Sequence, residues 1–154
     1  TNPRGQRNVI DGEAELLQDF EFNKHGKLAT TLYTPYTPAI DRAAGTLTVD
    51  IPAFVPQKQL AVPGGTTHFK IVSAGAEVDF ENEKFIVDSN ESAVLPWDEN
   101  PTAVINMVNK VTPNSTHPLF LALGISFYQE VNGQMYALKN GAFNALALVK
   151  VLGL

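Results

Sequence analysis

The chain has 154 residues, enough for one domain with a hydrophobic core, and its content of 44% apolar and 18% charged residues is typical of globular proteins. A net charge of −5 and scattered Lys and Arg residues argue against a nucleic-acid-binding surface, and no apolar run approaches the length of a membrane-spanning helix. Because the chain contains no cysteine, disulfides, thiolate nucleophiles and Cys-ligated zinc are excluded.

The N-terminal region is the part of the chain that looks least like a strand. Residues Thr1 to Ile10 form a candidate extended arm that could dock on a partner. The stretch "DGEAELLQ" (Asp11 to Gln18) predicts one short helix, with Asp11 as its N-cap and acidic residues in its first turn.

Most of the remaining chain alternates with a period of two, which predicts β-strands. Leu47, Val49 and Ile51 share one face in "GTLTVDIPAF", and Pro52 ends that ladder. We predict further strands in "LLQDFEF", "LATTLYT", "THFKIVS" and "AVINMVNKV", with shorter, interrupted ones in "KFIVD" and "SAVLPW". The Pro-punctuated "YTPYTPAI" suits an edge strand or an irregular extended segment. In "LFLALGISFYQEV" one face is large and apolar, and the other is small enough that something must pack closely against it.

Turn sequences rich in Gly, Pro and Asn separate these runs at short intervals. Two of them, Asn132-Gly133 and Asn140-Gly141, favour type I′ turns and predict a three-strand meander that ends in the strand Ala142 to Leu154. The overall pattern predicts a single all-β domain over residues 1–154, an antiparallel β-sandwich of immunoglobulin-like type with at most one short N-terminal helix.

Candidate catalytic and metal-binding residues are sparse. His25, His68 and His117 lie in separate segments without metal-ligand spacing, so we interpret them as surface and loop residues. Residues 77–99 hold half of the chain's 16 acidic residues, and Glu77, Asp79, Glu81 and Glu83 would share one side of an extended strand. A solvated acidic edge is the favoured interpretation, with a cation site as the alternative. No catalytic motif and no cofactor-binding motif is present, and the chain is predicted not to be an enzyme.

The aromatic residues allow one ligand-binding hypothesis. Trp97, Tyr33 and Tyr36 could form a platform on which sugars stack, as carbohydrate-binding modules do. We favour the alternative that Trp97 fills the core where a strand ends, because large aromatic side chains are mostly buried.

Two stretches, "DRAAGTLTVDIPAF" and "STHPLFLALGISFYQEVNGQMYALKNGAF", give the chain a resemblance to small uncharacterised β-rich bacterial proteins. The likeness covers about the last three quarters of the chain and is carried by a D-R-x-x-G-x-(alternating apolar)-P strand and a late "HPL(F/Y)" strand. The resemblance implies an immunoglobulin-like or fibronectin-like sandwich and a bacterial source. It implies no activity and no site residues.

The C-terminal run supports our principal functional hypothesis, a non-enzymatic interaction or self-assembly domain such as a bacterial surface or fibre subunit. A strand that is apolar on both faces needs a cover on both, and a neighbouring subunit could supply the second. The candidate interface residues are Phe143, Leu146, Leu148, Val149 and Leu152. The expected partner is a protein, either a second copy or another surface protein, and an extracellular or cell-surface location is favoured. A carbohydrate-binding module that takes a polysaccharide is the alternative, and a hydrolase that uses the acidic segment ranks last.

Overall fold

The computed structural model describes residues 17–142 and 144–153, and in them the chain is built almost entirely from antiparallel strands. The strands are β1 (Thr37–Asp41), β2 (Thr46–Ile51), β3 (His68–Asp79), β4 (Lys84–Glu91), β5 (Leu95–Pro96), β6 (Ile105–Lys110), β7 (Leu119–Val131), β8 (Gln134–Ala137) and β9 (Ala145–Leu152). Between Leu28 and Leu152, one helical turn, α1 (Pro56–Gln59), and the 3-10 turns Leu28–Thr30 and Leu138–Gly141 interrupt them. The prediction of an all-β, antiparallel fold is confirmed, whereas its immunoglobulin-like type stays a prediction.

The strands form two sheets that share one hydrophobic core. The smaller sheet has the order β1-β2-β6. In the larger sheet β3 and β7 lie at the centre, β4 and β5 share the far edge of β3, and β8 and β9 pair with β7. The core cluster takes residues from both sheets, including Leu47 and Ile51 of β2 and Phe69, Leu123 and Ile125 of strands β3 and β7.

The apolar residues that alternate along the predicted strands lie in the core, as expected. Leu47, Val49 and Ile51 are fully buried, and β1 is the edge strand that its prolines predict. The large residues of β7 face the core as expected. The opposite face of β7 is closely packed at Gly124, where an added Cβ would lie 2.6 Å from the carbonyl oxygen of Ala145.

The D-R-A-A-G stretch is a structural device that ties three parts of the chain together. Asp41 and Gly45 close the β1–β2 turn, and Gly45 has the positive φ of 71° that glycine tolerates. Arg42 reaches across this turn and donates to main-chain carbonyls in two places, the segment before β7 and the end of β9. The Arg42 side chain therefore links the end of the C-terminal strand β9 to the segment that precedes β7.

A polar network bridges the two sheets inside the core. Asn109 of β6 is fully buried, and its Nδ2 donates to the hydroxyl of Ser73 at 3.0 Å and to the carbonyl of Leu47 at 3.3 Å. Its Oδ1 accepts a hydrogen bond from Asn90 Nδ2 at 2.8 Å. Every polar atom of the Asn109 amide group is thus satisfied, which is the condition for burying it.

Two sequence predictions about the fold are wrong, and one helical turn was missed. "LATTLYT" is not a strand, because the carboxylate of Glu21 accepts the N–H groups of Leu28 and Ala29 and caps a 3-10 turn there. The three-strand meander is wrong because β9 pairs with β7 rather than with β8. The helical turn α1 was not predicted, although Pro56 at its first position is a favourable start.

Two N-terminal predictions fall outside the described residues in whole or in part. The arm Thr1 to Ile10 lies outside them, and so does the helix Asp11 to Gln18 except for its last two residues. The predicted strand that follows is present only as one short pairing, in which residues 19–22 lie along the free edge of β9.

Candidate functional site

A pocket beside the β3–β4 turn is the place where titratable groups come together. It has a volume of about 440 Å³ and is lined by Glu77, Asp79, Glu83 and His117, among others. His117 Nε2 lies 3.7 Å from Asp79 Oδ2. Hydrogen bonds from the Asn82 side chain hold the pKa of Asp79 below its usual value, with His117 contributing less. The sequence pattern does not predict this pair, because its two residues are 38 positions apart and meet only where the end of β3 lies beside the start of β7.

The acidic segment 77–99 is not one solvated edge. Glu77 is 7% exposed and accepts the backbone N–H of Thr112 at 3.0 Å. Glu81 and Glu83 lie in the turn between β3 and β4, so they do not continue the side of the strand that carries Glu77 and Asp79. This corrects the prediction of a single acidic side. Within the described residues, no three His, Asp or Glu side chains converge in a way that could hold a metal ion.

The other two histidines lie away from this pocket. His68 Nε2 is 3.6 Å from Glu130 Oε2, and its Nδ1 lies 2.9 Å from the hydroxyl of Thr67. His25 is exposed in a turn, where its N–H donates to Asn23 Oδ1. The three histidines are thus in three different places, each with its own neighbours.

The three aromatic residues of the predicted sugar platform occupy different surroundings. Trp97 is half-buried against the core, and its Nε1 is a buried donor with no hydrogen-bond partner in the described part of the chain. Tyr33 is exposed, and its hydroxyl donates to the carbonyl of Thr30. Tyr36 packs against the core, where burial raises the pKa of its hydroxyl and the charges of Asp19 and Glu21 add to the effect. The packing of Trp97 agrees with the favoured core interpretation, and the sugar platform stays a prediction.

The C-terminal strand divides the predicted interface residues between two faces. Val149 belongs to the core cluster and Leu152 packs against it. Leu146 and Leu148 face the other way, onto the outer surface of the larger sheet. Phe143 lies outside the described residues. Two of the five predicted residues therefore contribute to a surface.

This outer surface is an apolar groove of about 410 Å³. Its floor consists of side chains from β3 and β7, and its wall on the β9 side is built by Phe20, Phe22, Leu146 and Leu148. Phe20 and Phe22 are 50% and 53% exposed, and their rings meet edge to face with centroids 5.0 Å apart. Large exposed aromatic side chains beside an apolar groove are typical of a surface that receives another segment.

The opposite margin of the same face is the edge strand β4. Phe85, Ile86 and Val87 are consecutive and exposed by 72%, 46% and 55%. The second half of β4 is tied to β6, because Asn90 Nδ2 donates to the Val108 carbonyl and Asp88 Oδ2 accepts the N–H of Lys110. The first half, residues 84–87, makes no main-chain hydrogen bond on its outward edge within the described structure. In the sequence this exposed apolar edge corresponds to "KFIVD", in which three consecutive apolar residues lie between two charged ones.

Comparison of the chain with known protein families, with curated proteins and with solved structures finds no match. Among the described residues, no helix has the length and apolarity needed to cross a membrane.

Proposed function

We propose that this protein is a non-enzymatic self-assembly domain that pairs with a second copy of itself along the outward edge of β4. The observation that carries the proposal is the run of three exposed apolar side chains on a strand whose outward edge makes no main-chain hydrogen bond among the described residues. Folded proteins generally protect such edges with charges, prolines or bulges, because an open apolar edge recruits another strand. An edge that retains Phe85, Ile86 and Val87 therefore suits a surface that is covered in the assembled protein.

A second copy is the partner that best matches this edge. If two β4 strands pair antiparallel about Ile86, Phe85 of each copy lies opposite Val87 of the other. The same register places Lys84 of each copy opposite Asp88 of the other, so the charges at the ends of the contact are complementary. Cross-strand apolar pairs and opposite charges each stabilise a sheet by about 0.2–1 kcal/mol. The pairing is self-complementary, as a two-fold symmetric contact requires.

The proposal favours a dimer over a fibre. A two-fold contact between identical edges closes on itself, and a fibre would need a second, different interface. A bacterial cell-surface setting remains part of the proposal as the sequence suggested it.

Analytical ultracentrifugation of Val87→Lys tests the edge. Val87 is 55% exposed, and covering that surface contributes about 1 kcal/mol in each copy. The symmetry doubles the loss to about 2 kcal/mol, so we expect the dimer dissociation constant to rise about 30-fold. Val104→Lys is the matched control, because Val104 is 68% exposed on a loop away from β4. A wild-type chain that sediments as a monomer at several hundred micromolar would overturn the proposal, and so would equal weakening by the two substitutions.

A further inference from the structure

The outer face of the larger sheet is apolar from β9 to the first half of β4. On the β9 side lies the groove, whose described lining residues are all apolar. On the other side, Phe85 of β4 is directly opposite Val78 of β3. Two residues further along, Val87 is opposite Ala76. Because residues directly opposite in a sheet point to the same side, Phe85 and Val87 extend the apolar face to the edge proposed for pairing with a second copy.

The face of one copy is small for an interface. It covers four adjacent strands, β4, β3, β7 and β9, which are together about 19 Å wide. Along β3 it runs from Val72 to Val78, six residue steps or about 20 Å. Its area is therefore about 400 Å². Two single copies packed face to face would bury about 800 Å², which is no more than many crystal contacts bury.

Pairing along β4 doubles this face. In an antiparallel pair of identical strands the two-fold axis is perpendicular to the sheet, so the outer faces of both copies lie on the same side of the joined sheet. The joined sheet then offers about 800 Å² of continuous apolar face, with the two β4 strands at its middle. Two such dimers packed face to face would bury about 1,600 Å², the usual size of a specific and stable interface. The face reaches that size only after the edge has paired.

Identical outer faces can approach one another in spite of the chain's net charge of −5. Glu77 and Asp79 alternate with Val78 along β3, so they point to the opposite side of the strand. At the far end of the face, Lys70 Nζ and Glu91 Oε2 are paired at 2.8 Å. The middle of the outer face is thus uncharged, and two copies can meet there without opposing like charges.

We propose that the outer face is covered by the outer face of a second edge-paired dimer, so that four copies form two joined sheets packed face to face. The inference rests on the proposed β4 dimer and extends it. Sheets that pack face to face lie about 10 Å apart and interdigitate their side chains. Phe85 is 72% exposed, and the small side chains of Ala76 and Ala122 in the facing groove provide space for a large one. The arrangement closes on itself with two-fold symmetry, as most oligomers do.

Native mass spectrometry and analytical ultracentrifugation of the full-length protein test this assembly. We expect the unaltered protein to form dimers and tetramers. Ala76→Lys places an ammonium group on the partly exposed floor of the groove and leaves the main chain of the β4 edge unchanged. Since burying that charge without a partner is unfavourable, the dissociation constant of the tetramer into dimers should rise about 100-fold or more while the dimer persists. Thr48→Lys, at a partly exposed position on the smaller sheet, is the matched control and should form tetramers like the unaltered protein.

The outcomes separate the tetramer from the dimer. An unaltered protein that stops at the dimer at several hundred micromolar overturns the tetramer and leaves the β4 pairing intact, whereas a monomer overturns both. Equal weakening of the tetramer by Ala76→Lys and Thr48→Lys also overturns it. Ala74→Lys repeats the test on a second floor residue, and far-UV circular dichroism shows whether each variant is folded.

Other occupants of the outer face give different results, and each of them would overturn the proposal. A dimer with the additional mass of a bound molecule would assign the face to an apolar ligand. A dimer without additional mass that fails to bind an apolar fluorescent dye would assign the face to another segment of the same chain. The proposal is supported when the tetramer excludes the dye and the Ala76→Lys dimer binds it.

Discussion

Replacing Arg42 is the sharpest test of how the C-terminal strand is held. Arg42 Nη1 donates to the carbonyls of Ser115 and His117 at 2.8 and 2.7 Å, and Nη2 donates to those of Leu152 and Gly153, both at 3.1 Å. All four hydrogen bonds are partly buried. Arg42→Ala removes all four hydrogen bonds, and with them the link that this side chain makes between the segment before β7 and the end of β9.

The size of the effect follows from the number of carbonyls left without a donor. At about 1 kcal/mol for each partly buried carbonyl, the four come to about 4 kcal/mol. Bonds made by one side chain are not additive, and water can reach part of the site, so we expect a loss of about 3 kcal/mol in the free energy of unfolding. Arg42→Lys should lose roughly half as much, because an ammonium group cannot direct two parallel pairs of donors.

Urea unfolding at equal protein concentrations measures this loss, with Lys58→Ala on the exposed turn α1 as a control for removing a positive charge. Hydrogen exchange should show that the end of β9 opens more readily in Arg42→Ala than in the control. A loss below about 1 kcal/mol would refute the reasoning, since it would mean that the four carbonyls are equally well satisfied by water.

Two further predictions concern close packing and charge. Gly124→Ala should lower the free energy of unfolding by about 2–3 kcal/mol, because its Cβ would lie 2.6 Å from the Ala145 carbonyl oxygen. Gly133→Ala is the control: its φ of 81° strains an alanine, but the space around it is open, so it should lower the free energy of unfolding by only about 1 kcal/mol. Asn82→Ala should raise the pKa of Asp79 toward its usual value, as measured by NMR titration of the carboxyl carbon. Because the folded-state pKa of Asp79 is lowered, its contribution to stability is present above the unfolded-state pKa and is lost as the pH falls through the folded value; a stability profile unchanged by Asn82→Ala would contradict this.

Strands with one buried face could be predicted from the sequence because alternation records burial. Leu47 and Ile51 in β2 and the large residues of β7 all face the core as the pattern indicated. The failure at Leu28 has a definite cause. The residues there alternate like a strand, but Glu21, seven positions earlier, supplies a carboxylate that caps a 3-10 turn. A cap delivered from another segment leaves no trace in the local pattern.

The two Asn-Gly pairs show that a local sequence pattern also predicts turns incompletely. Asn132 and Gly133 both have positive φ, at 52° and 81°, as a type I′ hairpin requires. At the second pair Gly141 has a φ of 82°, and the pair belongs to the 3-10 turn Leu138–Gly141. That turn carries the chain away from β8, and β9 continues along the same edge of β7. Identical dipeptides thus lie in different turns, one in a hairpin and one in a 3-10 turn.

Two strands of this protein, β9 and β4, are apolar on both faces, and they differ in their position in the sheet. In β9, Leu146 and Leu148 lie on the outer face of an inner strand, since residues 19–22 pair with its second edge. Both line the apolar groove on that face. In β4 the apolar run from Phe85 to Val87 lies beside an edge that makes no main-chain hydrogen bond in the described part of the chain. Another strand would supply both hydrogen bonds and side-chain contacts there. The sequence pattern singled out the strand at the C-terminus, whereas the exposed apolar run of the edge strand is "KFIVD" in β4, where we propose that a second copy pairs.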